Sequence, residues 1–399
     1  MSELPQYDNS ARRPGVLLVQ RWLRGDEGIV THFGLLARGL LRCGWRVGLV
    51  TAPGMHGGNL RQEIDWVKEL EVPWYRVPFP EKVLHPRSLS ASRALAEVAR
   101  SFGADVIQTR SLSLLGSIHA VRALLNIPVV STPASSRHGV STSLRLLGRL
   151  WPSFAGDRVV AVSSEMKDLI LESFGIPAER IRVIPHAVRD DYFRVPTDED
   201  RVAARQALSL DSNDFVVSLV GRLDVGMKRH DLLIEAVRRL REDGIPAVTV
   251  LAGVGAGEQT IRGLAAAKRL NSHVRLIGYH DAREVFWASD TLALPSHGEA
   301  FGIVVAEAMC CGVVPVRTVG PGARDQIEDG KTGFIIPYND ADALTDRLRQ
   351  LYRDPVRRQE MSEGAVARAS QRFTASRMVS DTLALYEELW AGRQRRHKV

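Results

Sequence analysis

The sequence is poor in cysteine, with only Cys43, Cys310 and Cys311. Three thiols make no disulfide framework, and the adjacent pair closes an apolar run instead of standing at metal-ligand spacing, so all three read as core residues. No apolar run approaches the length needed to span a bilayer. The opening MSELPQYDNSARRPG lacks the apolar centre of a signal peptide, which leads us to expect a cytoplasmic protein. Aromatic residues are 6% of the chain and no basic–aromatic module occurs, which argues against nucleic acid as a partner. Internal repeats and low-complexity tracts are also missing. What is present, 399 residues with 45% hydrophobic content, suffices for two or three domains with sizeable cores.

Acidic residues are under-represented in one part of the chain. The net charge of +7 is carried entirely by residues 1–188, and the rest is balanced. Between Asp105 and Asp157 stand Arg110, Arg122, Arg137, Arg145 and Arg149 with no acid among them. Such a segment suits anionic headgroups or a lipid-linked phosphate acceptor. The run LRLLGRLW at 144–151 is compatible with peripheral contact at the cytoplasmic face of the inner membrane; a helix packed on its own sheet accounts for it equally.

Short runs of Val, Ile and Leu alternate with amphipathic segments throughout. Strands are expected at 16–20, 47–51, 106–108, 129–131 and 159–162, and helices at 31–42, 95–102, 114–125 and 164–174. Pro185 and Pro196 flank a stretch that reads as a linker. A second alternation follows, with strands at 215–221, 247–252, 274–277, 291–294, 313–316 and 332–336 and helices at 228–242, 283–288, 303–310 and from 340 onward. This is the pattern of an α/β protein with two doubly wound parallel sheets, whose ligands bind beyond the carboxyl ends of the strands. The domain boundaries are expected at 1–188 and 189–373, with a helix from 374 returning to the first domain and a frayed, solvated tail GRQRRHKV.

The most informative stretch is 291–322, TLALPSHGEAFGIVVAEAMCCGVVPVRTVGPG. A strand feeds a helix at Ile303 through a glycine-bearing loop, which makes an anion site from the unpaired first N–H groups of the helix and its positive dipole end. Glu299 in the loop and Glu307 on the helix bracket a space fit for a diphosphate carrying polyols on both sides. Arg222 and Lys228, after the strand that ends at Gly221, supply a forked and a point cation to the same place. Other candidates fail on context: Gly253-Val-Gly-Ala-Gly257 has Glu258 where a dinucleotide fingerprint requires glycine. Gly330-Lys331-Thr332 is followed by a strand instead of a P-loop helix, and Ser164-Glu-Met-Lys167 lacks the companion motifs of penicillin-binding proteins.

Taken together, GRLDVGMKRHDLLIEAV, LAGVGAGEQ, VRLIGY, ASDTLALPSHGEAFGIVVAEAMCCGVVPV and DGKTGFIIPYNDADAL closely resemble the carboxyl-terminal domain of the retaining GT-B glycosyltransferases of family four (glycosyl transferases group 1). The resemblance implies two Rossmann-like domains facing across a cleft. It implies that Glu299 holds sugar hydroxyls, Glu307 the ribose and Arg222 and Lys228 the diphosphate. Gly221, Ala300, Phe301, Gly302, Ile303 and Val304 would line the phosphate and sugar, with Gly278 and Tyr279 near the base. The amino-terminal half is similar to the family more loosely, through Gly28, His32 and the helix after them, with Glu27-Gly28 where two glycines are usual and His186-Ala187 where Asn-Gly is usual. The family's catalytic histidine has no clear counterpart in TPASSRHGVS; His138 is the candidate, and Ser135, Ser136 and Arg137, with His32 and Arg110, are candidate acceptor contacts. No metal or cofactor is expected beyond a nucleotide-sugar co-substrate, most simply a UDP-sugar, and an acceptor that is a small molecule or lipid-linked. A GT-B nucleotide-sugar epimerase and a catalytically silent partner-binding subunit are the alternatives.

Overall fold

Strands that are apolar at every position need cover on both faces, and the chain provides it twice. The computed structural model describes residues 12–21, 23, 28–53, 65–80, 88–111, 114–133 and 156–396, in two compact units: Met1–Ala187 with Ala375–Val399, and Val188–Thr374. In the first unit, β1 (Gly15–Val19), β2 (Arg46–Thr51), β3 (Trp74–Arg76), β4 (Val106–Thr109), β5 (Val129–Ser131), β6 (Arg158–Ala161) and β7 (Ile181–Val183) run parallel in the order β3-β2-β1-β4-β5-β6-β7. Between them come α1 (Gly28–Arg42), α2 (Asp65–Glu69), α3 (Ser88–Phe102), α4 (Leu115–Leu125) and α5 (Ser164–Phe174). The period of two is visible in β1. Val16 and Leu18 join Phe33, Leu36 and Leu40 of α1 on one face, while Leu17 and Val19 join Leu95 and Ala99 of α3 and Ile118 of α4 on the other. Each such leucine contributes about 1.5–3 kcal/mol by leaving water.

One of the arginines expected at a basic surface is structural. Arg122 of α4 forks onto Asp157, Nε at 2.8 Å and Nη2 at 2.7 Å, and the same carboxylate accepts from the Val129 backbone N–H at 2.9 Å, fixing the start of β5. Burial pushes the Asp157 carboxyl upward, but the Arg122 bond and the Val129 N–H outweigh it and hold the group below its ordinary range. Residues 134–155 lie outside the described residues, and with them His138, Ser135, Ser136, Arg137, Arg145, Arg149 and the run at 144–151. Among the described residues no helix is long and apolar enough to cross a membrane.

The second unit holds α6 (Asp198–Ala207), β8 (Phe215–Val220), α7 (Val225–Lys228), α8 (His230–Glu242), β9 (Ala247–Ala252), α9 (Glu258–Ala267) and β10 (Val274–Gly278). After these come α10 (Ala282–Ala288), β11 (Thr291–Leu294), α11 (Ile303–Cys310), β12 (Val314–Thr318), α12 (Ala323–Gln326), β13 (Phe334–Ile336), α13 (Ala341–Arg353) and α14 (Pro355–Arg372). Its strands are again parallel, ordered β10-β9-β8-β11-β12-β13. Val217 and Leu219 face Leu233 and Val237 of α8, and Val216 faces Ala204 of α6 and Val285 of α10. Asp340 ends the expected helix start cleanly, its side chain accepting from the Ala343 N–H at 2.8 Å. Cys43, Cys310 and Cys311 are buried thiols, as core residues should be, and burial pushes Cys311 up to about 12.

The last helix, α15 (Ala375–Arg396), belongs to the first unit. It comes so close to α1 that a Cβ at Gly39 would lie 2.3 Å from Val379. Trp45 packs on Tyr386 and Trp390, with ring centroids 5.4 and 6.3 Å away, and the Tyr386 hydroxyl donates to Gln108 of β4. The expectation of a frayed end from residue 392 is corrected by the same helix. It runs on to Arg396, and Arg393 donates to the Ala104 carbonyl at 3.0 Å and to Asp105 at 3.2 Å. The reason is Asp105 itself. This buried carboxylate also accepts from the Gly15 N–H at 3.0 Å and needs a cation nearby, which the expected tail delivers. Arg393→Ala should therefore lower the unfolding free energy by about 1–3 kcal/mol in urea titration, whereas a frayed tail would leave it unchanged.

Candidate active site

In the second unit the strand order reverses between β8 and β11, and in open parallel sheets ligands bind beyond the carboxyl ends of the strands at such a reversal. The β8 loop carries Gly221, Arg222 and Lys228; the β11 loop carries Glu299 to Gly302. Lys228 Nζ donates to Glu299 Oε1, so the switch point is spanned by an ion pair. Burial pushes the Glu299 carboxyl upward, and the charge and hydrogen bond of Lys228, helped by Arg317, more than reverse this and hold it ionised below its ordinary range. Arg222 is exposed and has no ion-pair partner among the described residues.

Local sequence explains how Lys228 reaches this position. A single helix over 228–242 was expected, but the chain forms α7 and α8, broken at Arg229 with φ 54°. Asp224 caps α7 by accepting from the Met227 N–H at 3.0 Å, and the Arg229 guanidinium grips Asp231 at 3.0 and 2.8 Å. Lys228 is thereby the end of a separate turn. Gly221, at φ 149°, has Lys228 Cε only 3.2 Å from where a Cβ would stand. The run Gly253 to Gly257, which fails as a dinucleotide motif, has a different use. A Cβ at Gly253 would stand 2.0 Å from the Gly221 carbonyl oxygen, and one at Gly255 or Gly257 2.6 Å from that of Leu223, so these glycines seat the β8 loop backbone against backbone.

The helix α11 begins at Gly302, which has φ 71° and, having no side chain, leaves the first turn uncapped. Ile303 and Val304 form that first turn, and Phe301 is buried against Phe373 at 5.6 Å. Glu307 lies one turn further in and is half-buried. Desolvation raises its carboxyl to about 7; Arg189 opposes this, while Asp191 and Asp281 add to it. It is the acid of the site whose charge is least settled. Gly278 ends β10 at φ 70° with open space around it, and Tyr279 beside it is 77% exposed.

Arg317 was missed by sequence reasoning. Lying in β12 at 1% exposure, it donates through Nη1 to the Phe301 carbonyl at 2.8 Å and through Nη2 to the Pro321 carbonyl at 3.2 Å, and it bonds Gln326. Gln326 in turn donates to the Gly302 carbonyl at 3.1 Å. The pair fastens the loop that carries Glu299 from below. The signal was a charged residue interrupting the apolar strand VVPVRTV, where an unpaired guanidinium would be prohibitively costly. In the first unit, Gly28 opens α1, and the two acceptor candidates His32 and Arg110 meet through His186. Among the described residues no group of three His, Cys, Asp or Glu side chains is placed to hold a metal.

The chain is similar to known proteins along most of its length. Residues 27–192 match the family described as Glycosyltransferase Family 4, and residues 200–368 match Glycosyl transferases group 1. A D-inositol 3-phosphate glycosyltransferase of Xylanimonas cellulosilytica is 30% identical over 253 residues, 61% of this chain and 60% of that protein. The alignment thus spans under two thirds of the relative. In three dimensions the chain is similar to a glycosyltransferase from Rickettsia africae, with TM-score 0.83, 21% identity and 95% and 99% of the two chains covered. Anabaena HepE, solved in complex with UDP, gives TM-score 0.80 and 20% identity over 94% of this chain and all of that one, 100%. These likenesses show the GT-B fold of two Rossmann-like domains.

The state of Glu307 is open to measurement. Because its folded pKa is raised to about 7 from an ordinary 4.5, the unfolded chain releases this proton first. Its contribution to stability is therefore present below pH 4.5, is lost as pH rises towards 7, and is level above that. Glu307→Gln should remove this slope and be about 1–3 kcal/mol more stable than the parent at pH 8, with near equality at pH 4.5. Urea unfolding across pH decides it; parallel profiles would mean an ordinary carboxylate.

Proposed function

We propose that this chain, which belongs to the group 1, family 4 glycosyltransferases, moves a sugar from a nucleotide-diphosphate donor onto a small-molecule or lipid-linked acceptor, with retention and without a metal. The observation that carries the reading is the Lys228–Glu299 pair at the strand switch point, beside the uncapped start of α11. A silent binding subunit has no use for a buried carboxylate held ionised by a lysine at such a point. A UDP-sugar is the preferred donor, because a neighbour of the same fold was solved with UDP. The name of the relatives, D-inositol 3-phosphate glycosyltransferase, is consistent with a cytoplasmic enzyme of glycoconjugate synthesis.

Chemically, the bond from the anomeric carbon to the β-phosphate oxygen breaks, and its electron pair leaves with the diphosphate. Charge growing on that group is met by Lys228, by Arg222 forking onto two oxygens, and by the N–H groups of Ile303 and Val304. Glu299 accepts from sugar hydroxyls, and Glu307 from the two ribose hydroxyls. The acceptor hydroxyl attacks from the face the leaving group departs, and its proton passes to the departing phosphate oxygen. Phosphate and sugar are thus both engaged by the β8 and β11 loops, which Arg317 and the 253–257 glycines hold fixed.

Titration calorimetry in EDTA with UDP, GDP and ADP tests the donor site. One nucleotide should bind selectively, and Glu307→Ala should abolish that binding. Because ribose hydroxyls select the ionised form of a group titrating near 7, binding at pH 6 should release close to one proton, seen as a dependence on buffer ionisation enthalpy. Lys228→Met should lower kcat by about 10²–10³-fold. Absence of binding by all three nucleotides at millimolar concentration would refute the reading.

A further inference from the structure

The β8 loop carries two cations assigned to the diphosphate, and they differ in what they already hold. Arg222 is exposed and has no ion-pair partner among the described residues, whereas the Lys228 ammonium donates to Glu299. The side chains of that pair are 16% and 19% exposed, so each is largely withdrawn from water and leans on the other. Arg317, behind Glu299, does not replace the lysine as a donor, because its own N–H groups go to the carbonyls of Phe301 and Pro321 and to Gln326. The lysine stem is seated as well, with Cε 3.2 Å from where a Cβ on Gly221 would stand. Stem and loops are fixed, and the ammonium with its three donors is left to turn.

This pairing decides what each ligand has to displace. A bare nucleoside diphosphate brings negative charge but no hexose hydroxyl for Glu299. Were it to take Lys228, it would strip a largely buried carboxylate of its cation, and that cost offsets the bond gained. Its phosphates are served by Arg222, while the Lys228–Glu299 pair, neutral as a unit, adds little. A nucleotide sugar brings hydroxyls that donate to Glu299 in place of the ammonium. The carboxylate stays satisfied, and Lys228 turns to the phosphate oxygens as a charge-assisted donor. The second cation is released only when a sugar is attached.

We propose that the Lys228–Glu299 pair senses the sugar on the donor, so that the site holds the loaded nucleotide in preference to the spent one. The inference rests on the transferase reading above and adds to it a selection between substrate and product. After transfer the hydroxyls leave with the acceptor, Lys228 returns to Glu299, and the nucleotide loses one of its cations at the moment it has to depart. Product release, a common limit on turnover, is eased by the same contact that holds the empty site together.

Calorimetry on the full chain takes whichever of UDP, GDP and ADP binds, together with its glucose ester. Glu299→Gln frees the lysine and should tighten the bare nucleotide by about tenfold. Removing both members in Lys228→Met/Glu299→Gln should bring the bare nucleotide back to within about twofold of the parent and weaken the glucose ester by about tenfold or more. Nitrogen NMR of the lysine ammonium groups gives a readout on the unsubstituted chain, independent of how a variant folds. The Lys228 signal should keep its place at saturation with the bare nucleotide and shift with the glucose ester. Unchanged or weaker nucleotide binding in Glu299→Gln, or a Lys228 signal that shifts equally with both ligands, overturns the proposal and leaves the donor site standing. Failure of all three nucleotides and their esters to bind removes the donor site and this inference together, so the two readings are told apart.

Discussion

The ion pair between Lys228 and Glu299 is the interaction around which the second unit is arranged. Two parallel strands adjacent in the sheet but divergent in their connections place a cation and an acid on facing loops, and neither group is tolerable there without the other. Everything nearby constrains one of the two partners. Asp224 and the left-handed Arg229 isolate Lys228 on its own turn, the glycines at 253, 255 and 257 press the β8 loop into place, and Arg317 with Gln326 ties down the β11 loop. A site assembled this way is ready for charge before a ligand arrives, which is the condition under which electrostatic stabilisation of a leaving group costs no reorganisation.

Glu299 and Glu307 share a loop and a helix yet differ in electrostatic state. Glu299 has a lysine on it and an arginine behind it, whereas Glu307 faces two further acids and a single arginine already engaged with one of them. The first is held towards its ionised form by Lys228 and the second towards its neutral form by burial. Environment, and not residue type, divides their roles.

Most of the architecture was readable from residue order, because buried parallel strands announce themselves as unbroken Val, Ile and Leu runs between amphipathic helices. The helix at Ile303–Cys310 and the strand at Thr291–Leu294 lie where the pattern puts them. What was not legible depended on partners distant in sequence. The break at Arg229 leans on Asn339, 110 residues away, as well as on its neighbour Asp231, and nothing in the tail shows that Arg393 has a carboxylate waiting at Asp105. The 253–257 glycines were visible, but their purpose was not, since it is defined by the carbonyl oxygens of another loop. His186 stood out as an unusual residue, and only its distance to His32 and Arg110 gives it meaning.

The return of α15 to α1 makes the first unit discontinuous in sequence, whereas the second is one unbroken segment. During synthesis the first sheet emerges early but lacks the helix that covers Trp45 and satisfies Gln108 and Asp105 until the ribosome has passed residue 386 and beyond. The second unit is then already complete. The half of the molecule made first is therefore finished last, and its exposed apolar face must be kept from wrong partners for the whole time its neighbour takes to be translated.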